Sequence, residues 1–195
     1  GALDEAQQTG KLSYDGYKKV WSDEFNGDSL NRADWNVEIH EKGWVNNELQ
    51  EYVDSAENIQ VKDGKLIINP VKKVTDGDTG STKEAASYTS GRVSTQNKQT
   101  FIYGRFECRA KVPKGQGYLP AFWLMANDEN VYGQWPRCGE IDCMEVMGQE
   151  TNKAYGTLHY GNPHSQSQGT YTITDGADFS DDFHIFTCDW EPGKI

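Results

Sequence analysis

Apolar and polar positions alternate with a period of two along much of this chain, the signature of strands with one buried face. Residues 100–112 set Ile102, Phe106, Cys108, Ala110 and Val112 on one side. Tyr103, Arg105, Glu107, Arg109 and Lys111 fall on the other. From Phe183 to Trp190, His184, Phe186, Cys188 and Trp190 oppose Ile185, Thr187 and Asp189. Ile59 to Lys62, the pair Asp63-Gly64, and Lys65 to Asn69 read as a hairpin closed by a two-residue type I′ turn. Short strands with a turn signal about every 8–15 residues predict an all-β sandwich or barrel with little helix. Asp76-Gly77-Asp78-Thr79-Gly80 reads as a solvated loop. It lacks the glutamate and the spacing of a calcium loop.

One apolar, strand-prone run breaks the pattern. Glu140-Ile141-Asp142-Cys143-Met144-Glu145 carries three acids and continues into Val146 and Met147. Acidic residues are rarely buried without partners, so three within such a run point to a lined cavity. Alternation puts Glu140 and Asp142 on one face and Glu145 on the other. A β-bulge at Cys143 or Met144 returns Glu145 to the face of the other two. The glutamates are then spaced as if four positions apart, roughly 13 Å between Cα atoms. Side chains leaning together bring their carboxyl groups to about 5 Å, the separation used for retaining glycoside hydrolysis. A solvated acidic edge strand explains the acids but not the apolar residues threaded among them.

Composition narrows the partners. At 195 residues the chain is one domain, or one domain short of a piece. Its net charge of −11 and the lack of a basic patch make duplex nucleic acid a poor partner. No apolar stretch approaches the length of a membrane-spanning helix, and no leader is visible. The polar residues 1–16 read as a linker or remnant ahead of a catalytic domain over 17–195. Cys108, Cys138, Cys143 and Cys188 allow three two-disulfide connectivities. They form no Cys-x-x-Cys pair. Cys108 and Cys188 sit in alternating apolar runs, as small core residues do.

The acid-bearing run and its approach, Trp135-Pro136-Arg137-Cys138-Gly139, resemble the active-site strand of glycoside hydrolase family 16, in its laminarinase-like (β-1,3-glucanase) branch. That branch has the bulged pattern E-x-D-x-x-E. Six further blocks agree: Trp21 to Phe25, Trp44 to Tyr52, Ser90-Gly91-Arg92, Tyr103 to Glu107, Pro120 to Met125, and Thr157-Leu158-His159-Tyr160. The resemblance runs from about residue 17 to the end. It implies a concanavalin A-like β-jelly-roll sandwich of two curved antiparallel sheets, with substrate across the concave one. It also implies retaining, endo-acting cleavage of β-1,3-glucan outside the cell, with mixed-linkage β-1,3-1,4-glucan as a further substrate. Family domains add strands after Asp189-Trp190-Glu191-Pro192-Gly193-Lys194-Ile195. Completion of the sandwich by further sequence or by a second chain is therefore expected.

The resemblance implies roles for particular residues. Glu140 becomes the nucleophile, Glu145 the acid/base, and Asp142 the group between them that orients Glu140. Trp123 and Trp135 become platforms for the apolar face of a sugar ring; each is otherwise a core tryptophan. Trp44, Asn46 and Glu48 match a cleft-edge loop, and Arg92 a donor near the nucleophile. His159 faces the cleft floor or is a satisfied core histidine. Glu24 matches a residue that holds a structural calcium in relatives; catalysis itself requires no cofactor. Rival readings are a non-catalytic β-glucan-binding protein, a transglycosylase, and a hydrolase of agar or carrageenan.

Overall fold

A computed structural model describes residues 16–73 and 87–195. Two units are present: Val20–Thr100, and Phe101–Ile195 together with residues 16–19. Asp76 to Gly80 lie outside the described residues.

In the first unit, β1 (Asn36–Val37) pairs antiparallel with β7 (Val93–Ser94). β2 (Gln50–Tyr52) runs parallel to β6 (Ser87–Ser90), which also pairs antiparallel with β5 (Val71–Lys73). β3 (Ile59–Lys62) and β4 (Lys65–Ile68) form the expected hairpin. Asp63 and Gly64 have φ of 53° and 72°. Both lie in the left-handed region that a type I′ turn demands. Asn58, 1% exposed, ties this hairpin to β6. Its Nδ2 donates to Asn69 O at 2.9 Å and to Thr89 Oγ1 at 3.0 Å. The Trp21–Phe25 block has a structural role here. Trp35 Nε1 donates to Asp23 Oδ2 at 2.8 Å, and the Trp21 and Trp35 rings pack at 5.7 Å.

In the second unit, β9 (Ala121–Met125), β10 (Glu140–Val146), β11 (Lys153–Tyr160) and β12 (Ser165–Thr172) form an antiparallel sheet in the order β12-β11-β10-β9. β8 (Gly104–Ala110) pairs antiparallel with β13 (His184–Trp190). A one-turn helix, α1 (Glu129–Tyr132), follows β9, capped by Asp128 accepting from Asn130 N–H. Val112, Met144, Val146, Phe179 and Phe186 form the core of this unit, flanked by Ala110, Phe122, Ala154 and Ile173. β13 buries Phe186 and Cys188 while Ile185, Thr187 and Asp189 face out, as alternation predicts.

The strand expected over 100–112 is shorter than its pattern. Tyr103 has a φ of 62°, which breaks the extended backbone, so β8 begins at Gly104. Ile102 is consequently 75% exposed and does not share the face of Phe106. All four cysteines are free thiols. Burial pushes Cys108 up to about 11 and raises Cys143, which lies beside Cys188. Among the described residues, no helix is long and apolar enough to cross a membrane.

Candidate active site

The bulge lies where the acids require it. On β10, Asp142 pairs with Thr157 and Glu145 with Tyr155 of β11: three steps on one strand against two on the other. Toward β9, Asp142 pairs with Trp123 and Met144 with Phe122, two steps against one. The surplus residue falls at Cys143-Met144. Both of those side chains turn to the core side, Cys143 against Cys188 and Met144 into the Val146 cluster. Glu140, Asp142 and Glu145 share the other face. Register carries that face across the sheet. Met125, Trp123 and Ala121 lie opposite the three acids on β9; His159, Thr157 and Tyr155 lie opposite them on β11.

Asp142 is the most buried of the three, at 4% exposure. Burial raises its affinity for a proton, and its hydrogen bonds and charge contacts with Glu140 and Glu145 raise it further. A protonated Asp142 donates to a neighbouring glutamate. Burial, and then the charge of Glu140, also hold Glu145 above the usual carboxylate range. The site therefore favours the protonated form of two of its three acids relative to exposed carboxyls.

Two further elements fix the nucleophile candidate. Trp135, 43% exposed, donates its indole N–H to Glu140 Oε1 at 3.1 Å. Its own backbone N–H donates to Glu129 Oε1 of α1 at 2.7 Å. Trp135 is thus a hydrogen-bond donor to the acid cluster as well as a candidate platform. His159 Nε2 stands 3.0 Å from Asp142 Oδ2 and 3.7 Å from Glu140 Oε2. It faces the acids and is not a core histidine. Trp123 occupies the same face opposite Asp142.

Trp44, Asn46, Glu48 and Arg92 form a second cluster, within the Val20–Thr100 unit. Trp44 stacks on His40 with centroids 3.4 Å apart and planes at 4°. The Arg92 guanidinium lies 4.9 Å from the Trp44 ring centre, and its Nε donates to Glu38 Oε2 at 3.2 Å. Asn46 Nδ2 donates to Glu48 Oε1 at 3.2 Å, and Tyr52 OH to Glu48 Oε2 at 3.3 Å. Trp44 is 42% exposed, a half-open aromatic surface suited to a sugar ring. Glu24 is half-buried before β1. Among the described residues, no set of three close acidic, histidine or cysteine side chains includes it.

Sequence reasoning missed His40, Glu38 and His164. His164 lies in the turn between β11 and β12, with Nε2 2.9 Å from His159 Nδ1. No periodicity marks a turn residue that folds back onto a strand. The one available signal was a second histidine five positions after the first.

Residues 46–195 match the sequence profile of the glycosyl hydrolases family 16, and the chain belongs to that family. It is 44% identical over 179 residues to the glucan endo-1,3-beta-glucosidase of Cryptopygus antarcticus, covering 90% of this chain and 63% of that protein. It is 38% identical over 193 residues to glucan endo-1,3-beta-glucosidase A1 of Niallia circulans, covering 92% and 28% respectively. The chain thus spans less than two thirds of either relative. The laminarinase catalytic domain of Thermotoga maritima MSB8 superposes with a TM-score of 0.74 at 37% identity, covering 89% of this chain and 70% of that one. The fold is all-β, as the strand pattern predicts, and it is the jelly-roll that the family resemblance implies.

Proposed function

We propose that this protein is a retaining, endo-acting hydrolase of β-1,3-glucan, with Glu140 as nucleophile and Glu145 as acid/base. The observation that carries the proposal is the bulge at Cys143-Met144, which puts Glu145 on the face of Glu140 and Asp142. In the first step Glu140 attacks the anomeric carbon as the glycosidic bond breaks. Glu145 gives its proton to the departing sugar oxygen, and a glycosyl ester remains on Glu140. Esterification removes the charge of Glu140, a principal cause of the raised proton affinity of Glu145. Glu145 is then held as the carboxylate, ready to take a proton from the water that attacks the same carbon and releases Glu140.

Asp142 supports both steps. Its retained proton, shared with the glutamates, orients Glu140 and spreads the negative charge of the triplet. Trp135 holds the other side of Glu140 through its indole N–H. Trp123, opposite Asp142 on β9, offers a ring surface for a glucose unit. A polymeric substrate places the action outside the cell. Mixed-linkage β-1,3-1,4-glucan is a second candidate substrate, because the chemistry at the acids is indifferent to the linkage one unit away.

Product profiles on laminarin, lichenan and agarose test the reading, with proton NMR of the fresh products. Laminarin cut to a ladder of oligosaccharides, β-anomer first, is the expected result. Binding without cleavage, transfer products alone, or cleavage of agarose only would each overturn it. An α-first signal would mean that Glu140 activates a water and does not itself attack the carbon.

A further inference from the structure

We infer that His164 is a positioning residue for hydrolysis, one that holds His159 in the single tautomer able to donate its Nε2–H to Asp142. The inference rests on the β-glucan hydrolase reading above. It stands on a chain of contacts that leads from the β11–β12 turn to the acids. His164 Nε2 is 2.9 Å from His159 Nδ1. His159 Nε2 is 3.0 Å from Asp142 Oδ2. The two imidazoles lie at 20° with centroids 5.1 Å apart, and Trp135 covers His164 at 5.1 Å.

For a neutral His159, proton counting sets one direction for the chain. Asp142 has one acid proton, which it shares with Glu140 and Glu145. Its Oδ2 toward His159 must then accept, so Nε2 of His159 carries a hydrogen. A neutral imidazole has one N–H only, so Nδ1 of His159 must accept in turn. The partner of that nitrogen is His164 Nε2, which must donate. The sequence is His164 Nε2–H to His159 Nδ1, then His159 Nε2–H to Asp142 Oδ2, then Asp142 O–H to a glutamate.

Without a donor at His164, the proton of His159 is free to move to Nδ1. Nε2 then presents a lone pair to Asp142 and competes with the glutamates for its proton. The hydrogen bond that orients Glu140 weakens, while a side chain of similar volume at 164 still supports the Trp135 ring. The cost falls on kcat more than on KM.

The donor requirement separates this role from simple ring packing. His164→Gln presents an amide N–H where Nε2–H stood, whereas His164→Leu fills space without a donor. In the full-length protein, laminarin kcat is expected to fall on the order of 10-fold for His164→Leu, with KM within about twofold. His164→Gln should recover most of that loss. Nitrogen-15 NMR of the wild-type protein should show His159 with a bare, accepting Nδ1 and a protonated Nε2. Equal losses in both variants, an unchanged kcat in His164→Leu, or a His159 protonated at Nδ1 would each overturn the inference. If the wild-type protein hydrolyses no β-glucan, the functional reading fails by itself, and the NMR tautomer still decides the proton chain.

Discussion

Trp135 donates its indole N–H to Glu140 Oε1 at 3.1 Å, so a candidate sugar platform also grips the proposed nucleophile. The two roles can be separated. Trp135→Phe keeps a ring and deletes the donor. A hydrogen bond to a charged group contributes about 1.5–3 kcal/mol, so kcat on laminarin should fall on the order of 10- to 100-fold with little change in KM. Trp135→Ala should raise KM as well. Steady-state kinetics of the two variants side by side make the check, and a Trp135→Phe protein with wild-type kcat would reduce Trp135 to a platform.

Removing either glutamate should end turnover of laminarin without unfolding the protein. Glu140→Ala leaves no group to form the glycosyl ester. Glu145→Ala removes the proton donor, yet should spare the first step on aryl glucosides whose leaving group needs no proton. A burst of released phenol from Glu145→Ala, followed by slow turnover, is the expected trace. Each variant also relieves repulsion within the triplet, so the urea midpoint should hold or rise.

The acids should make stability depend on pH in an uncommon direction. Asp142 and Glu145 both have a raised proton affinity in the folded chain. Between the ordinary carboxylate range near pH 4 and their raised folded values, the native state binds more protons than the unfolded one. Their contribution is therefore complete below about pH 4 and is lost as pH rises through the folded values. For buried Asp142 the loss is on the order of 1 kcal/mol per pH unit within that window. Asp142→Asn keeps the size and removes the titration. Urea midpoints at pH 5 and pH 8 should differ less in Asp142→Asn than in the wild-type protein. An equal or steeper pH dependence in the variant would show that Asp142 loses its proton early.

Much of this site is legible in the amino-acid sequence. Asp63-Gly64 announces its turn because only residues tolerant of positive φ suit both positions. The bulge in β10 can be inferred because three acids on opposite faces of one buried strand leave one of them among apolar side chains. The failure at Ile102 has the same physical basis in reverse. One backbone angle at Tyr103 ends a strand whose side-chain pattern runs on. His40 and His164 are invisible for another reason. Stacking of His40 on Trp44, and the reach of His164 to His159, depend on where loops return in space. Side-chain alternation carries no record of that.

The bulge itself can be tested by changing the length of β10. Deleting Cys143 removes the surplus residue, so Met144 alone links Asp142 to Glu145 in regular alternation. The pairs Asp142–Thr157, Glu145–Tyr155 and Val146–Ala154 all survive, and the three acids remain on one face. Met144 keeps its place in the core. Such a protein should fold and retain measurable hydrolysis of laminarin, with kcat reduced because the spacing of the carboxyl groups has shifted. Deleting both Cys143 and Met144 does the opposite. Glu145 then follows Asp142 directly, and alternation sends it to the core side of β10, toward Phe186. A buried, unpaired carboxylate there costs several kcal/mol. Hydrolysis should vanish and the urea midpoint should drop well below that of the single deletion. If the single and double deletions were equally inactive and equally unstable, register in β10 would not be what places Glu145.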